Sequence, residues 1–414
     1  MSRKFETHTG IRQGASSSTW LFIVFIDGLV KFLKEKCVEE PLTGLVHCLL
    51  HADDTAIIST DREKFITKCN FMLDYFHENQ LTLNLSKSAY MVINGKNEAK
   101  TGIQLKNGIL EYVSSYTYLG AIITDTGSIK HDVTCHINSK RSNLTIKYNN
   151  FCKKNYLAPL HIKQTVLDTC VNASLIYGCE SWGNNLVPAI DTCYRQGLKT
   201  ALSVRHSVNN EIIYVESGRV PLTIRAKKQQ LKFWLSLQEL DPQHYISKFI
   251  ALGDSLNLPF LNHFKNLKTL YENPKNCQDT LRNEFATSVK EKIQREGSTD
   301  PDSRLGAYLE CNPLLECPSS LPVFERDRIT VTRYRTGSHH LKIETGRFAA
   351  PSIPRDERLC NCGTAVQTVK HCLLSCPLLN TIRTKYNIST FNDINNPSVC
   401  NFFNEMEIVL KVQK

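Results

Sequence analysis

The sequence predicts an α+β fold over residues 1–127, followed by a mostly helical region. Three observations carry this prediction. Short apolar runs separated by turn residues at 45–59 and 117–124 are typical of β-hairpins, and apolar periodicity over 62–78 is typical of a helix. From 128 to about 295 the periodicity becomes largely helical. The 414 residues, 41% hydrophobic and 22% charged, can bury a core in two or three domains, which excludes wholesale disorder.

The chain begins with a glycine-marked loop and an apolar helix. Gly10 and Gly14 bracket a polar turn, and we expect one helical face to consist of Leu21, Phe22, Phe25, Ile26 and Leu29. The run 20–26 could pass for the core of a signal peptide, but Asp27 interrupts it and no small-residue cleavage site follows. We therefore expect a buried amphipathic helix, with neither a signal peptide nor a transmembrane segment in the chain.

The cysteines indicate the compartment. Most of the 16 are scattered singly through apolar segments, as Cys48 and Cys179 are, and do not follow the tight spacings of a secreted scaffold. A reducing environment fits this pattern. We expect an intracellular protein of the nucleus or the cytoplasm.

Composition and turn residues predict further boundaries. We expect a strand pair over 81–93, and a linker or an extended crossing segment over 297–325, which is rich in Gly, Pro and Ser. The expected domains are 1–127, 128–296, 297–346, 347–380 and 381–414. The expected helix boundaries in the second of these are Pro159, Pro188, Pro221 and Pro242.

Positive charge is concentrated in the middle of the chain. The whole chain carries 50 Lys and Arg against 40 Asp and Glu, and residues 128–232 alone hold 15 basic and 6 acidic side chains. This excess favours a polyanionic partner, because phosphates of nucleic acids attract clustered lysines and arginines. A solvated basic face on an ordinary helical domain is the alternative.

Asp53 and Asp54 lie between two apolar runs, LVHCLL and TAIIS. This pattern predicts a β-hairpin with paired carboxylates at its exposed end. Carboxylates in this position suit Mg²⁺ or Mn²⁺, which favour oxygen ligands. Without its flanks, an Asp-Asp pair is more often a turn or a helix cap.

Four motifs in this order resemble those of reverse transcriptases. HADDT at 51–55 resembles the Tyr/Phe-Ala-Asp-Asp box, and GIRQG at 10–14 with the following apolar helix resembles the preceding motif. LTLNLSKS resembles the lysine-bearing strand, and YLGAIIT resembles the primer-grip hairpin. Their wording is most similar to polymerases of non-long-terminal-repeat retrotransposons, and the basic region with LIYGCESWG is similar to the thumb and connection of those elements.

The resemblance implies a partial right-hand polymerase palm, a helical thumb and connection, and an RNA-directed DNA polymerase. Two Mg²⁺ ions would align a primer 3′-hydroxyl with an incoming deoxynucleoside triphosphate on an RNA template. Asp53 would be the principal metal ligand and Asp54 would lie beside it. Arg12, Gln13 and Gly14 match the motif that lies along the template and the incoming nucleotide. Lys87 matches a lysine proposed to protonate pyrophosphate, although a solvated lysine at a strand end explains it equally well.

The sequence departs from the family pattern at several places. The family has a further aspartate on a palm strand upstream of the glycine motif, and only MSRKFETHT precedes Gly10 here. The box begins with His51 in place of Tyr or Phe, and SSST replaces the usual Ser-Pro start of the helix. These departures predict a chain that is inactive alone, either a decayed element or a gene model begun too late.

A Cys/His cluster near the carboxyl end predicts a metal site. Cys360, Cys362, His371 and Cys376 form C-x-C-x8-H-x4-C, which offers three thiolates and one imidazole for tetrahedral Zn²⁺. Cys372 could substitute for one ligand, and buried free cysteines with a surface histidine are the alternative. The segment also resembles the Cys/His segment of the same retrotransposon proteins, which implies a small zinc-knuckle-like module. Nearby basic residues predict contact with a nucleic-acid backbone: Arg347, Arg355, Arg358 and Lys370.

Three functions remain open at this point. The leading one is a reverse transcriptase fragment with DNA primer or target as a further partner. The second is a non-catalytic nucleic-acid-binding remnant of a decayed element. The third is a metal-stapled interaction protein without nucleic acid, against which the basic segment argues.

Overall fold

The structure is a computed structural model that describes residues 16–37, 40, 46–95, 100–301, 303–318, 324–396 and 398–410. The chain divides into two compact units. Unit 1 comprises Met1–Ser128 and Leu240–Leu256, and unit 2 comprises Ile129–Glu239 and Asn257–Lys414. The described residues form a mixture of helices and small sheets in which helices predominate.

The first part of unit 1 alternates helices and short strands. Its elements are α1 Ser18–Ile26, α2 Gly28–Lys36, β1 Cys48–His51, β2 Asp54–Ile57, α3 Arg62–Glu78, β3 Ala89–Tyr90, β4 Ile103–Leu105, β5 Gly108–Tyr112, β6 Ser115–Tyr118 and β7 Ala121–Thr124.

The rest of the described chain is helical. Its helices are α4 Ile129–Lys154, α5 Leu160–Val166, α6 Ala173–Leu175, α7 Pro188–Leu202, α8 Asn210–Ser217, α9 Leu222–Gln238, α10 Tyr245–Ser255 (in unit 1), α11 Pro259–Leu270, α12 Pro274–Thr299, α13 Arg304–Cys311, α14 Glu325–Arg335, α15 Lys342–Thr345, α16 Asn380–Lys385 and α17 Val399–Val409.

The helix expected over 62–78 is confirmed at both ends. Asp61 caps it, because its side chain accepts a hydrogen bond from the Lys64 backbone N–H at 2.9 Å. One face of α3 is buried, and this face carries Cys69, Met72, Leu73 and Phe76. The apolar periodicity therefore identified the buried face of this helix correctly.

The described residues of unit 1 form three small sheets. β1 pairs with β2 and β6 with β7, both antiparallel, which confirms the two expected hairpins. The third sheet has the order β3-β5-β4, with β3 parallel to β5. In the β6-β7 hairpin the turn residues Leu119 and Gly120 have φ values of 48° and 83°, as a tight two-residue turn requires.

The strand pair expected over 81–93 does not form. Over 81–93, where every residue is described, the chain forms one 3₁₀ turn at Leu85–Lys87 and the two-residue strand β3. Polar side chains favour the turn. The Asn84 carbonyl accepts hydrogen bonds from the Lys87 backbone N–H and the Ser88 hydroxyl, and the Ser86 hydroxyl donates to Asn84 Oδ1. Local side-chain bonds of this kind compete with strand pairing.

The amino-terminal helix is less buried than expected. Asp27 separates α1 from α2, and the buried residues on the two helices are Ile26, Leu29 and Leu33. Leu21 and Phe25, expected inside, are 59% and 46% exposed. The reason is that α1 is apolar on every side, as STWLFIVFI shows, so a single neighbouring surface covers only a small part of it.

Unit 2 is built around one continuous apolar core. This core extends from Val133 on α4 to Leu410 after α17, and Phe402, Phe403 and Met406 lie fully inside it. The residues expected to form a carboxyl-terminal tail are therefore part of the main core. Proline begins several of the helices as expected: Pro188 is the first residue of α7, and Pro159 and Pro221 precede α5 and α9.

The linker expected over 297–325 contains packed helices. α12 extends to Thr299 and α13 follows after a short turn, capped by the Ser303 hydroxyl. The glycines that suggested a linker allow close contact between chain segments. A Cβ atom at Gly306 would lie 2.5 Å from the Asp300 carbonyl oxygen, so only glycine fits this approach.

A buried ion pair connects Glu40 to α3. The Glu40 carboxylate accepts hydrogen bonds from Lys68 Nζ at 2.5 Å and from the Thr60 backbone N–H at 2.8 Å, and also from the Ser59 hydroxyl. Lys68 Nζ additionally donates to the Ile58 carbonyl at 3.1 Å. Burial alone would raise the pKa of Glu40, but these bonds lower it to about 2. The pair thus fixes the connection between β2 and α3.

We predict that Glu40→Gln loosens α3 in a pH-dependent way. At neutral pH it leaves the Lys68 ammonium buried without its counter-charge, which costs about 3 kcal/mol. Because the folded pKa of Glu40 lies below its ordinary 4.5, the stabilisation is complete above that value and is lost as the pH falls towards 2. Hydrogen exchange of residues 62–78 measures the effect, with Glu63→Gln, an exposed carboxylate, as the control. An equal difference between wild type and variant at both ends of this range would contradict the prediction.

Candidate functional site

The carboxylate pair lies at the tip of the β1-β2 hairpin. His51 pairs with Asp54 in the register, so Ala52 and Asp53 form a two-residue turn in which Ala52 has a φ of 52°. Asp53 and Asp54 are both exposed. Cys48 at the start of β1 packs in the unit 1 core, and the tight turn at the other end of the hairpin leaves both carboxylates in solvent. This geometry leaves both carboxylates accessible to a hydrated cation.

The lysine motif and the YLGAIIT hairpin contact each other, and the YLGAIIT hairpin also lies near Asp54. The Tyr116 hydroxyl on β6 donates a hydrogen bond to the Lys87 carbonyl at 3.3 Å, so the YLG hairpin touches the lysine turn. Burial raises the pKa of Tyr118 on the same strand, and the negative charge of Asp54 raises it further. The Tyr118 phenol is therefore within electrostatic reach of Asp54. Lys87 itself is exposed.

The described residues supply two carboxylates at this site. Within that part of the chain, no third Cys, His, Asp or Glu ligand atom joins Asp53 and Asp54 in a metal-holding group. The expected nucleotide-contacting residues Arg12, Gln13 and Gly14 lie outside the described residues. Asp53 and Asp54 thus offer two adjacent carboxylates, the ligand type that hard divalent cations combine with phosphate oxygens.

The Cys/His cluster comes together as the spacing predicts. The ligand atoms of Cys360, Cys362, His371 and Cys376 all lie within 4.8 Å of one another. The Cys360 and Cys376 sulfurs are 3.7 Å apart, and Cys362 Sγ is 3.3 Å from His371 Nε2. Two bonds of about 2.3 Å to a tetrahedral zinc ion would separate two sulfurs by about 3.8 Å. The four side chains therefore fit a tetrahedral metal site.

Two backbone features hold these ligands. Cys360 N–H donates to Ala365 O and Gly363 N–H donates to Cys360 O, both at 2.8 Å, and Gly363 has a φ of 76°, which closes a tight loop around Cys362. A π-helical turn over His371–Ser375 places Cys376 N–H on the His371 carbonyl at 2.8 Å. These local hydrogen bonds fold the two loops so that the four side chains lie close together in space.

The histidine is oriented by a second side chain. His371 Nδ1 lies 3.1 Å from the Ser375 hydroxyl, while Nε2 points at Cys362. A hydrogen bond on one ring nitrogen presents the other nitrogen to a metal ion, as is usual in metalloproteins. Ser375 therefore selects Nε2 as the ligand atom.

Cys372 is not one of the four clustered ligands, which leaves Cys376 as the third cysteine. A hydrogen bond from Cys372 lowers the pKa of the Cys360 thiol, whereas the bond to Cys360 and burial raise the pKa of Cys372. Burial, together with the Cys360 charge, raises the pKa of Cys376. A bound cation would stabilise the thiolate forms of these cysteines.

The basic residues around the cluster differ in their roles. The Arg358 guanidinium is buried and donates to the carbonyls of Ile343 and Ile353, so it supports the backbone and does not face solvent. The expectation that Arg358 contacts nucleic acid is therefore wrong. Lys370 pairs with Glu310 at 2.6 Å, and both are largely exposed. Arg347 and Arg355 are exposed.

The basic middle region also exposes only some of its cations and aromatic side chains to solvent. Lys163 is fully buried and binds Glu325 at 3.0 Å, and Lys199 is buried against His206 O and Asn210 Oδ1. Tyr148 and Trp182 belong to the core, whereas Tyr156 is 40% exposed. Six lysines and arginines on α4 remain solvent-accessible, wholly or in part: Lys130, Lys140, Arg141, Lys147, Lys153 and Lys154. No helix of the described residues is both long and apolar enough to cross a membrane.

Comparison with known families supports one of the sequence-based interpretations. Residues 1–123 match the family model of the reverse transcriptase, an RNA-dependent DNA polymerase. The match supports a reverse transcriptase over that segment, a family that uses a nucleic-acid template, deoxynucleoside triphosphates and divalent metal ions. No curated protein matches the chain.

Proposed function

We propose that the chain is part of an RNA-directed DNA polymerase of the non-long-terminal-repeat retrotransposon type, in which Asp53 and Asp54 bind Mg²⁺ or Mn²⁺. The observation that carries this proposal is the hairpin that exposes both carboxylates, within the segment similar to reverse transcriptases. A bound metal ion would supply charge neutralisation and alignment for the primer 3′-hydroxyl and the triphosphate.

The residues of the chain have distinct parts in this proposal. Asp53, in the turn, is the principal metal ligand, and Asp54 contributes beside it. Tyr118 is within electrostatic reach of Asp54, and the hairpin that carries it would support the primer end next to the carboxylates. Lys87, on the turn held by Tyr116, would neutralise the departing pyrophosphate, and Arg12 and Gln13 would lie along the template.

A second candidate function is a nucleic-acid-binding remnant without catalysis. It is favoured by the two-carboxylate site, because two-metal phosphoryl transfer requires ligands on both sides of the metal pair and the described residues supply one side. Both candidates share the nucleic-acid partner, so they differ in primer extension and agree in binding.

We predict that the 414-residue chain does not extend a primer on an RNA template with Mg²⁺ or Mn²⁺. Loss of one side of a two-metal clamp lowers the rate by orders of magnitude. Incorporation of labelled deoxynucleotides on an oligo(dT)-primed RNA is the measurement. Robust incorporation that Asp53→Ala abolishes, and that Glu63→Ala on α3 preserves, would refute this prediction and show that a further group completes the site.

The Cys/His cluster is proposed to bind zinc and to stabilise the carboxyl-terminal part of unit 2. Three thiolates and one imidazole make a closed site of the structural kind. The buried Cys360, Cys372 and Cys376 lie in the common core of unit 2, so loss of the metal would disturb packing well beyond the cluster.

We predict about one Zn²⁺ per chain at neutral pH and its loss in the double variant Cys360→Ser, Cys376→Ser. Elemental analysis of the purified protein measures the zinc content. The control is Cys170→Ser, which changes an exposed cysteine on a different helical segment. Full zinc content in the double variant would show that other residues hold the metal.

The exposed cations of α4 are proposed to bind the phosphates of a nucleic-acid duplex. Their positive charge comes from one continuous helix, Ile129–Lys154, so the charges lie at fixed spacing along one element. Lysines and arginines that meet phosphates release condensed counterions, which makes affinity depend on salt and not on sequence.

We predict that replacing Lys140, Arg141, Lys147, Lys153 and Lys154 by Gln flattens the salt dependence of duplex binding. Each lost contact reduces the slope of log K against log salt by roughly 0.9 on a B-form duplex. A salt titration by fluorescence anisotropy compares this variant with a control of equal net charge, whose changes lie on α11 and α12: Lys268, Lys275, Arg282, Lys290 and Arg295. If the two variants and the wild type give parallel lines, α4 does not bind the duplex.

A further inference from the structure

An exposed aromatic ring on unit 2 has the guanidinium groups of two arginines near it. Phe348 is 54% exposed, and the guanidinium carbons of Arg205 and Arg304 lie 6.0 and 5.7 Å from its ring centroid. Exposing a phenylalanine to this extent costs hydrophobic free energy, and flanking arginines are attracted to its ring face. Aromatic rings with neighbouring arginines are the surface on which unpaired bases stack.

The backbone beneath this ring is held rigidly. Phe348 ends the 3₁₀ turn Gly346–Phe348, and the Gly346 carbonyl accepts a hydrogen bond from the Ile353 backbone N–H at 3.0 Å. The buried Arg358 clamps both sides of the loop through its bonds to the Ile343 and Ile353 carbonyls. A Cβ at Gly346 would lie 2.8 Å from the Arg358 side chain, so the packing leaves no room there. The ring is therefore preorganised.

The flanking arginines are also fixed in place. Arg304 donates to Glu344 through Nε at 3.0 Å, and through Nη1 to the Ser207 carbonyl at 2.7 Å. Arg205 lies 3.3 Å from His340 Nδ1. Because their guanidinium groups are held, a base or phosphate arriving at Phe348 meets cations that need little further ordering.

A cavity of about 150 Å³ adjoins this ring, since Arg304 and Arg347 line it. Its wall contains more basic than acidic groups: Arg304, Arg335, Arg347, Arg355 and Lys370 against Glu310 and Glu344. Glu344 already binds Arg304 and lies 3.7 Å from Arg347. Burial lowers the pKa of Arg347, and although Glu344 opposes this, the charges of Arg304, Arg358 and Arg355 lower it too. A bound anion at Arg347 would therefore offset the positive charge of these neighbouring arginines.

We propose that this surface binds single-stranded nucleic acid, with one base stacked on Phe348 and the adjacent phosphate at Arg347. A base inside a duplex is already stacked on both faces and cannot lie on a side chain, so the partner is a single strand. The cavity is smaller than the roughly 300–1,000 Å³ of small-molecule sites, which disfavours an enclosed free nucleotide. The inference deepens the proposed nucleic-acid binding and is separate from the duplex contacts of α4.

The test compares Phe348→Ala, Phe348→Tyr and Arg347→Gln with two matched controls. Phe324→Ala removes a phenylalanine that is 73% exposed, and Arg295→Gln removes an arginine 3.7 Å from a glutamate, the same separation as in Arg347–Glu344. The probes are a fluorescein-labelled oligodeoxyadenylate of about 12 nucleotides, the size class that single-strand sites accept, and a duplex of equal length.

Phe348→Ala is expected to weaken binding of the single strand roughly 5- to 150-fold, the effect of losing one stacked base, and to leave duplex binding unchanged. Phe348→Tyr keeps an aromatic ring and should bind as wild type does, and Arg347→Gln should weaken the single strand more than Arg295→Gln. An abasic oligomer of equal charge should bind the wild-type protein about as weakly as the oligodeoxyadenylate binds Phe348→Ala.

Other outcomes overturn the inference. Equal losses from Phe348→Ala and Phe324→Ala, equal losses on single strand and duplex, or equal binding of abasic and normal oligomers would each do so, the last without any variant. Competition by free adenosine monophosphate at the concentration of oligomer bases would indicate a nucleotide site instead. If the duplex binds in a salt-dependent way while Phe348→Ala has no effect, this inference fails and the proposed function stands. If neither probe binds, both fail.

Discussion

The carboxyl-terminal half of unit 2 depends on one buried carboxylate. Glu216 on α8 is 1% exposed and accepts hydrogen bonds from Arg335 Nη2 at 2.8 Å and from the Tyr308 hydroxyl at 2.8 Å. Arg335 in turn donates to Asn395, whose amide binds the Cys311 carbonyl. Four segments that are far apart in the sequence, α8, α13, α14 and the turn Phe391–Asn395, thus meet at a single charge. Removing one partner of such a pair leaves an uncompensated buried charge.

Both candidate surfaces of unit 2 follow from this arrangement. Arg304, which lies over the Phe348 ring, is the first residue of α13, one of the helices joined by Glu216. α14 also carries Tyr334, which stacks on Phe403 of α17 with ring centroids 3.8 Å apart. The Cys/His cluster packs into the same core through Cys360, Cys372 and Cys376. The Cys/His segment is therefore one wall of a larger body, so a metal ion bound there would stabilise the helix packing as well.

Local patterns in the sequence predicted the local structure well. The β1-β2 hairpin, α3 and the grouping of the four Cys/His side chains all depend on residues close in sequence, so turn residues, periodicity and spacing contain the necessary information. The prediction of a strand pair over 81–93 was wrong because the Ser86 and Ser88 side chains donate hydrogen bonds to Asn84 and so stabilise a turn. The linker was wrong because Gly306 serves helix contact, which depends on a partner segment that composition does not reveal.

Charge was harder to interpret than shape. Lys163 counts as part of a basic segment, yet it lies buried on Glu325, 162 positions further along the chain. Arg358 looked like a phosphate contact and instead holds two carbonyls. Nothing in a single sequence distinguishes a cation that faces solvent from one that satisfies buried oxygen atoms. The Phe348 surface could not be predicted for the same reason, because Arg205 and Arg304 reach that ring from distant elements.

The π-helical turn over His371–Ser375 has a consequence for the length of the ligand motif. In a regular α-helix each residue advances about 100° around the axis. The wider π-helical turn contains one more residue, so each of its residues advances less. Removing one residue between His371 and Cys376 would leave them four positions apart, a spacing that shares one face in an ordinary α-helical turn, so the π-helical winding would have to be lost for the two ligands to meet. The four-residue interval in the motif is thus a record of backbone winding, and the same four ligand types at an interval of three would require a different local helix to meet at one point.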